Sequence, residues 1–486
     1  MRKPYWVSLA LIAAPLVLVH ACGNDDTTPA PTTSGGGAGG TIDTPTPTTS
    51  SGGAGTTTTG GGGGSTGGGG DGSSSSDAAK SDAPASEGGG DSPAPAQMHW
   101  VASWGAGAVP MAPQPNDNMP PNGLTYRNIT RMSLGGSQVR LTISNLNGTD
   151  PLRIDDVTVA ISNGADSIQA NTLRPVTFTV NGRAVSAITI PAGETSFSDP
   201  VDIIFGLEAD LAVSIHVPQQ TITTYTDHPL GHGLNYLANG DQAGLTSLTN
   251  PTPFEPWHFL SAIDVMAPQD AAAIVAFGDS ITDGAADDPR GSNERWPNYF
   301  ADQLYQHNYT NLAVVNEGIG SDRVLTDGTP NDRSGATPSA LTRWGYDALQ
   351  RAGVKYIILL EGVNDIDAAT SPRGPVISAA DLINGYKTLV NRAHAAGVKV
   401  IIGTLTPFGD SANWSTTGQQ IHDDVNAWIR AGTANGFDGF VDFEEATRDP
   451  ANPLKYRTGF DGGDGLHPSH EGKQAMANEI RLTLFD

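Results

Sequence analysis

Ile274-Val275-Ala276-Phe277-Gly278-Asp279-Ser280-Ile281-Thr282-Asp283-Gly284 decides the fold of the C-terminal half of this 486-residue chain. The apolar run reads as a buried strand that breaks at Gly278-Asp279 and delivers Ser280 into the turn beyond it. A strand ending this way holds its next side chain at the carboxyl edge of a sheet, where open α/β folds keep their sites. Ser280 is therefore the candidate nucleophile.

Working outward, apolar strands alternate with amphipathic helices from residue 271 to the end. Strands are expected near 272–277, 312–316, 354–360, 398–404 and 438–443, and helices near 296–307, 338–351, 378–396, 417–433 and 470–483. Five such units predict an α/β domain, a flavodoxin-like three-layer α/β/α arrangement with a parallel sheet covered by helices on both faces.

Two further motifs fall at edges of these elements. Gly362-Val363-Asn364-Asp365 follows the strand ending at Leu360, and Asp464-Gly465-Leu466-His467 precedes the last helix. A serine hydroxyl is a poor nucleophile until a base takes its proton, and imidazole suits that task near neutral pH. His467 is the candidate base, and Asp464, three residues earlier, can fold back on the ring and fix its tautomer. Asp461 competes for that role, and the bland alternative makes His467 a helix cap and Asp464 a turn former. The Asn364 amide can donate to an anionic oxygen, a role worth about 3 kcal/mol per donor, or it can cap the helix that follows. Asp365 is read as a brace for the following loop.

The three motifs, in this order, resemble the SGNH (GDSL-type) hydrolase superfamily, with Ser280 in its first block, Asn364 in its third, and Asp464 and His467 in its fifth. The resemblance implies the same three-layer fold over 268–486 and an acyl-ester hydrolase needing no metal or other cofactor. It also implies an oxyanion hole built from the N–H groups of Ser280 and Ser321 and the Asn364 side chain. Asn316 to Arg323 resembles the second block, but Ser321 stands where glycine is usual, so Ser321 and Gly320 both remain open as the backbone donor. Serine keeps the N–H provided it can adopt dihedrals that glycine meets more easily. Arg323 reads as a brace to a neighbouring acid or a contact for substrate.

The preceding residues differ in character. Short strand-like runs such as Val139 to Ile143, Val157 to Ile161, Val176 to Val180 and Leu211 to Ile215, separated by Gly, Asn, Asp and Pro turns, predict a β-sandwich-like module over 98–267. His99 to Trp104, Arg131 to Ser137 and Ile190 to Gly193 resemble the β-rich N-terminal module of a group of secreted bacterial SGNH esterases. Residues 22–97 are almost entirely Gly, Ser, Thr, Pro and Ala, which predicts a disordered tether spanning roughly 50 Å. Residues 1–21 read as a lipoprotein signal peptide, with Cys22, the only cysteine, as the lipidation site and membrane anchor. The chain is thus expected in the bacterial cell envelope, exported and lipid-anchored.

The formal charge of −25, from 26 basic and 51 acidic residues spread along the chain, argues for solubility and against nucleic acid. His470 lies near His467, but no third ligand completes a metal site; it is assigned to an exposed helix start. Trp414, in a polar loop, is the tryptophan best placed to stack on a sugar. The expected substrate is an acyl ester, with acetylated polysaccharide favoured. A lipase or phospholipase is the nearest rival, although neither 284–295 nor 321–338 is apolar enough for a long lid. A non-catalytic surface carbohydrate-binding protein is the alternative from another class.

Overall fold

The computed structural model describes residues 97–113, 119–285, 291–328, 336–370 and 376–486. The signal peptide, Cys22 and all but the last residue of the expected tether lie outside the described residues.

The two largest sheets of the β-rich half are antiparallel. One places Leu260–Pro268 between Met98–Gly105 and Gly136–Ser144, and the other runs Asn235–Asn239, Leu124–Arg131, Asp210–Val217, Asp156–Ile161. Val139, Leu141 and Ile143 alternate along one strand and bury into a core shared with Tyr126, Val157, Val213 and Ile263. That alternation is what a sheet with one covered face requires. The expected strand at 176–180 is instead split into Arg174–Pro175 and Phe178–Val180. Pro175 has no N–H to extend a ladder, and the second piece turns back at Asn181-Gly182, both at positive φ, into a tight hairpin.

The strands of the β-rich half end at Pro268 and the parallel ones begin at Ala272. The parallel sheet has the order Leu312–Gly318, Ala272–Gly278, Val354–Leu360, Lys399–Gly403, Gly439–Val441, the second strand in sequence lying outside the first. This is the flavodoxin-like order, whose sites lie beyond the carboxyl ends of the strands. Every residue of Ala272–Gly278 is buried. Gly278 pairs in register with Gly318 on one side and Leu360 on the other. The chain segments leaving these three ends, which carry Ser280, Ser321 and Asn364, therefore emerge from one edge of the sheet.

Helices cover the sheet at Trp296–Gln306, Ala379–Ala395, Thr416–Arg430 and His470–Glu479. The expected helix over 338–351 is shorter, Ala340–Trp344, and widens into a π turn at Gly345–Leu349. Gly432, at φ 71°, stops the helix expected to reach 433. The last helix ends at Glu479 and a 3₁₀ turn follows at Leu482–Phe485. All described residues belong to one compact unit. Its two halves meet where Ala102 N–H donates to Ala352 O at 2.8 Å and the Ser133 hydroxyl accepts from Val314 N–H at 3.0 Å.

Candidate active site

Ser280 opens a four-residue helix, Ser280–Asp283. An isolated helix below about 12 residues is marginal in water, so tertiary contacts set this turn. Asp279 caps it by accepting from Ile281 N–H at 2.9 Å, and Gly284 ends it at φ 110°. Asn316 donates to Thr282 O at 2.9 Å. Gly318 admits the turn because a Cβ there would collide with the Asp283 backbone.

The loop before the last helix meets this turn. His467 Nε2 lies 2.8 Å from Ser280 Oγ, and His467 Nδ1 lies 2.6 Å from Asp464 Oδ2. A carboxylate only accepts, so Nδ1 carries the proton and Nε2 is left to accept from the hydroxyl. Asp464 Oδ1 also accepts from the N–H groups of Leu466 at 3.0 Å and His467 at 2.9 Å. Partial burial works against ionising Asp464, but these hydrogen bonds outweigh it and hold the carboxyl below its ordinary range. Asp461 Oδ1 instead accepts from Gly463 and Gly465 N–H at 2.8 and 3.0 Å, shaping the loop.

At the second edge segment, Ser321 takes φ 63°, whereas Gly320 is not among the positive-φ residues. The left-handed position that favours glycine is thus filled by serine. Asn364 is the second residue of the helix Val363–Thr370, inside its first turn rather than at a cap. Its amide donates to Asp322 O at 2.9 Å, which uses one of two N–H groups. Asp365 accepts from Val324 N–H at 2.7 Å and Leu325 N–H at 3.0 Å, bracing the loop after Ser321. Arg323 reaches Thr326 at 3.5 Å.

Beneath these segments lies Arg343, fully buried, which the sequence offers only as one basic residue of an amphipathic helix. Its guanidinium sits 3.7 Å from the centre of the Phe277 ring. It donates to Gly278 O at 2.8 Å, Glu317 O at 2.7 Å and Asp322 Oδ2 at 2.6 Å, tying together the ends of two strands and the loop that carries Ser321. Burial pushes Asp279 and Asp322 up to about 7 each; other carboxyls add to the shift and Arg343 opposes it. Removing one partner of such a buried pair costs about 3–5 kcal/mol.

The β-rich half also reaches this edge. His228 Nε2 lies 3.1 Å from Asp283 Oδ1, while His228 Nδ1 lies 2.7 Å from Gly107 O. Arg295 donates to Gly231 O and stacks over Trp257 at 5.2 Å, and Gly291 N–H donates to His232 O at 2.7 Å. Lys473 donates to Gly284 O at 3.0 Å from the last helix. No sequence pattern marks these contacts.

His470, expected to be exposed, is half-buried: it meets the Tyr299 hydroxyl at 2.7 Å and Glu294 at 3.2 Å. Trp414 is 38 % exposed and donates to Gln419 at 3.0 Å, whereas Trp104, Trp257 and Trp296 are buried. Among the described residues there is no group of three or more His, Cys, Asp or Glu side chains able to hold a metal, and no helix long and apolar enough to cross a membrane.

Residues 276–475 match the GDSL-like Lipase/Acylhydrolase family. Similar solved structures include a GDSL-like lipase from Bacteroides thetaiotaomicron, at 18 % identity over 44 % of this chain and 87 % of that one with a TM-score of 0.33. A carbohydrate acetylesterase from Sinorhizobium meliloti is 18 % identical over 42 % of this chain and 94 % of its own, with a TM-score of 0.33. The inhibitor-bound M. smegmatis aryl esterase is 19 % identical over 43 % and 95 %, with a TM-score of 0.34. No curated protein matches the chain.

Proposed function

We propose that this chain, whose residues 276–475 match the GDSL-like Lipase/Acylhydrolase family, is an ester-cleaving hydrolase in which Ser280, His467 and Asp464 carry out the cleavage as a nucleophile, a base and its orienting acid. The observation that carries this reading is the continuous path from Ser280 Oγ to His467 Nε2 at 2.8 Å and from His467 Nδ1 to Asp464 Oδ2 at 2.6 Å.

In this mechanism Ser280 Oγ attacks the acyl carbonyl carbon while His467 Nε2 takes the hydroxyl proton. Asp464 steadies the imidazolium that forms. The carbonyl oxygen becomes an anion held by the N–H groups of Ser280 and Ser321 and the second N–H of Asn364. Collapse breaks the bond to the alkoxy oxygen, which leaves with the proton from Nε2 and gives an acyl-serine. A water molecule then attacks the acyl carbon, losing its proton to His467 Nε2, and collapse breaks the bond to Ser280 Oγ, which takes that proton back from Nε2 as the carboxylic acid is released. Atoms balance as one ester and one water to one acid and one alcohol. The chemistry requires no metal or other cofactor.

The substrate proposed is a short-chain or O-acetyl ester, with acetylated polysaccharide favoured. The polar sequences of 284–295 and 321–338 support a short acyl group over a lipid chain, which would call for an apolar lid. Trp414, exposed in its loop, offers a ring face to a sugar. Export and lipid attachment at Cys22 belong to the same proposal and suit a polymeric substrate outside the cell. Purified full-length protein should hydrolyse a short aryl ester and release acetate from an acetylated glycan faster than it releases long acyl chains. A folded protein inactive on every ester would contradict the reading.

A further inference from the structure

We infer that the β-rich module forms one wall of the active site and that its Leu230 limits the length of the acyl chain, an inference that rests on the esterase reading above. Leu230 is 39 % exposed, at a turn just after Tyr225–His228. Its Cδ1 lies 3.4 Å from where a Cβ of Gly320 would stand, and among the described residues, apart from the glycine and its two chain neighbours, no other atom comes within 4 Å of that position. An apolar side chain from the module therefore covers the open face of the residue preceding the proposed oxyanion donor Ser321.

The turn is held on both sides. His228 is bonded to Asp283, three residues past the nucleophile, at 3.1 Å. Past the turn, Gly231 O accepts from Arg295 and His232 O accepts from Gly291 N–H at 2.7 Å. Leu230 lies between anchored residues, so its position is fixed relative to Ser280.

The tetrahedral centre on Ser280 Oγ has three further substituents. The leaving oxygen must face His467 Nε2 to receive its proton, and the oxyanion must face the N–H donors. The acyl chain takes the remaining direction, along the wall beside the oxyanion loop, where Leu230 stands. A branched side chain there leaves room for a short acyl group and blocks a longer one.

The test is a series of aryl esters from acetyl to octanoyl, with a parallel series of acetate esters that vary only the alcohol, assayed on the full chain. Leu230→Ala should raise the hexanoyl-to-acetyl ratio of kcat/KM by about tenfold or more. Burying each added methylene is worth about 0.8 kcal/mol, or roughly fourfold. Leu230→Trp should lower the butyryl-to-acetyl ratio. Both variants should melt within a few degrees of the parent, since the side chain is substantially exposed. Acyl ratios that stay within twofold of the parent in both variants overturn the inference. So does a change confined to the alcohol series, which would assign Leu230 to the leaving-group side. A parent protein inactive on every ester would instead remove the esterase reading itself.

Discussion

His228 and Asp283 join the two halves of the molecule through a buried contact of 3.1 Å between Nε2 and Oδ1. His228 Nδ1 faces Gly107 O at 2.7 Å, so both ring nitrogens point at acceptors, an arrangement that favours the doubly protonated ring. Burial opposes charging His228, but the Asp283 carboxylate and the Gly107 carbonyl outweigh it and raise its pKa. Burial likewise works against Asp283, but His228, His232 and Arg295 outweigh it and lower its pKa.

The pair therefore stabilises the fold between two limits. The histidine's contribution is full below its unfolded pKa and is lost as pH rises through its raised folded value. The aspartate's contribution is present above its unfolded pKa and is lost as pH falls through its depressed folded value. His228→Ala leaves Asp283 buried without this partner and should cost about 3 kcal/mol or more near neutral pH. The difference in melting temperature between parent and variant should narrow as pH is raised above neutrality. A difference that widens with pH would show that the pair is not charged as described.

Asp464→Asn should lower kcat far more than Asp461→Asn. Asp464 contacts the His467 ring at 2.6 Å, whereas Asp461 accepts only backbone N–H groups in the same loop. With asparagine at 464 the amide can present N–H to Nδ1 and favour the wrong tautomer, a change that can cost on the order of 10⁴ in kcat. Side-by-side steady-state kinetics of the two variants decide it, and a larger loss at Asp461 reverses the assignment.

Ser321→Gly should preserve kcat and leave the melting temperature equal or higher. Its φ of 63° is a conformation glycine adopts without steric cost, while the N–H remains. Asn364→Ala removes a donor and should lower kcat roughly a hundred-fold or more with little change in KM, the mark of a contact made in the transition state. A Ser321→Gly loss as large as that of Asn364→Ala, in a protein with unchanged circular dichroism, would give the serine hydroxyl a role in the chemistry.

Much of this arrangement is written locally in the sequence. The parallel strands are legible because nearly every residue of runs such as Ala272–Gly278 and Val354–Leu360 is buried, so continuous apolarity marks them without any period. Asp464 and His467 are legible because the contact between them closes within three residues. What could not be read depends on how distant segments dock. His228 and Asp283 are 55 residues apart, Arg343 reaches back 65 residues to Gly278 O, and Leu230 meets Gly320 only because the two halves pack together. The helix expected over 338–351 shortens because a π turn begins at Gly345, where the backbone is least constrained. The identity of the left-handed residue, Ser321 rather than Gly320, follows from a turn geometry that composition does not encode.

Replacement of Ser280 by alanine, measured as kcat on a short aryl ester, tests the central claim most directly. Ser280→Ala removes the hydroxyl 2.8 Å from His467 Nε2 and leaves the rest of the turn in place. The account predicts a folded protein with kcat lower by several orders of magnitude, since loss of a triad nucleophile can cost on the order of a million-fold. A folded Ser280→Ala protein that keeps more than about a tenth of the parent turnover, with contaminating esterase excluded, would contradict it.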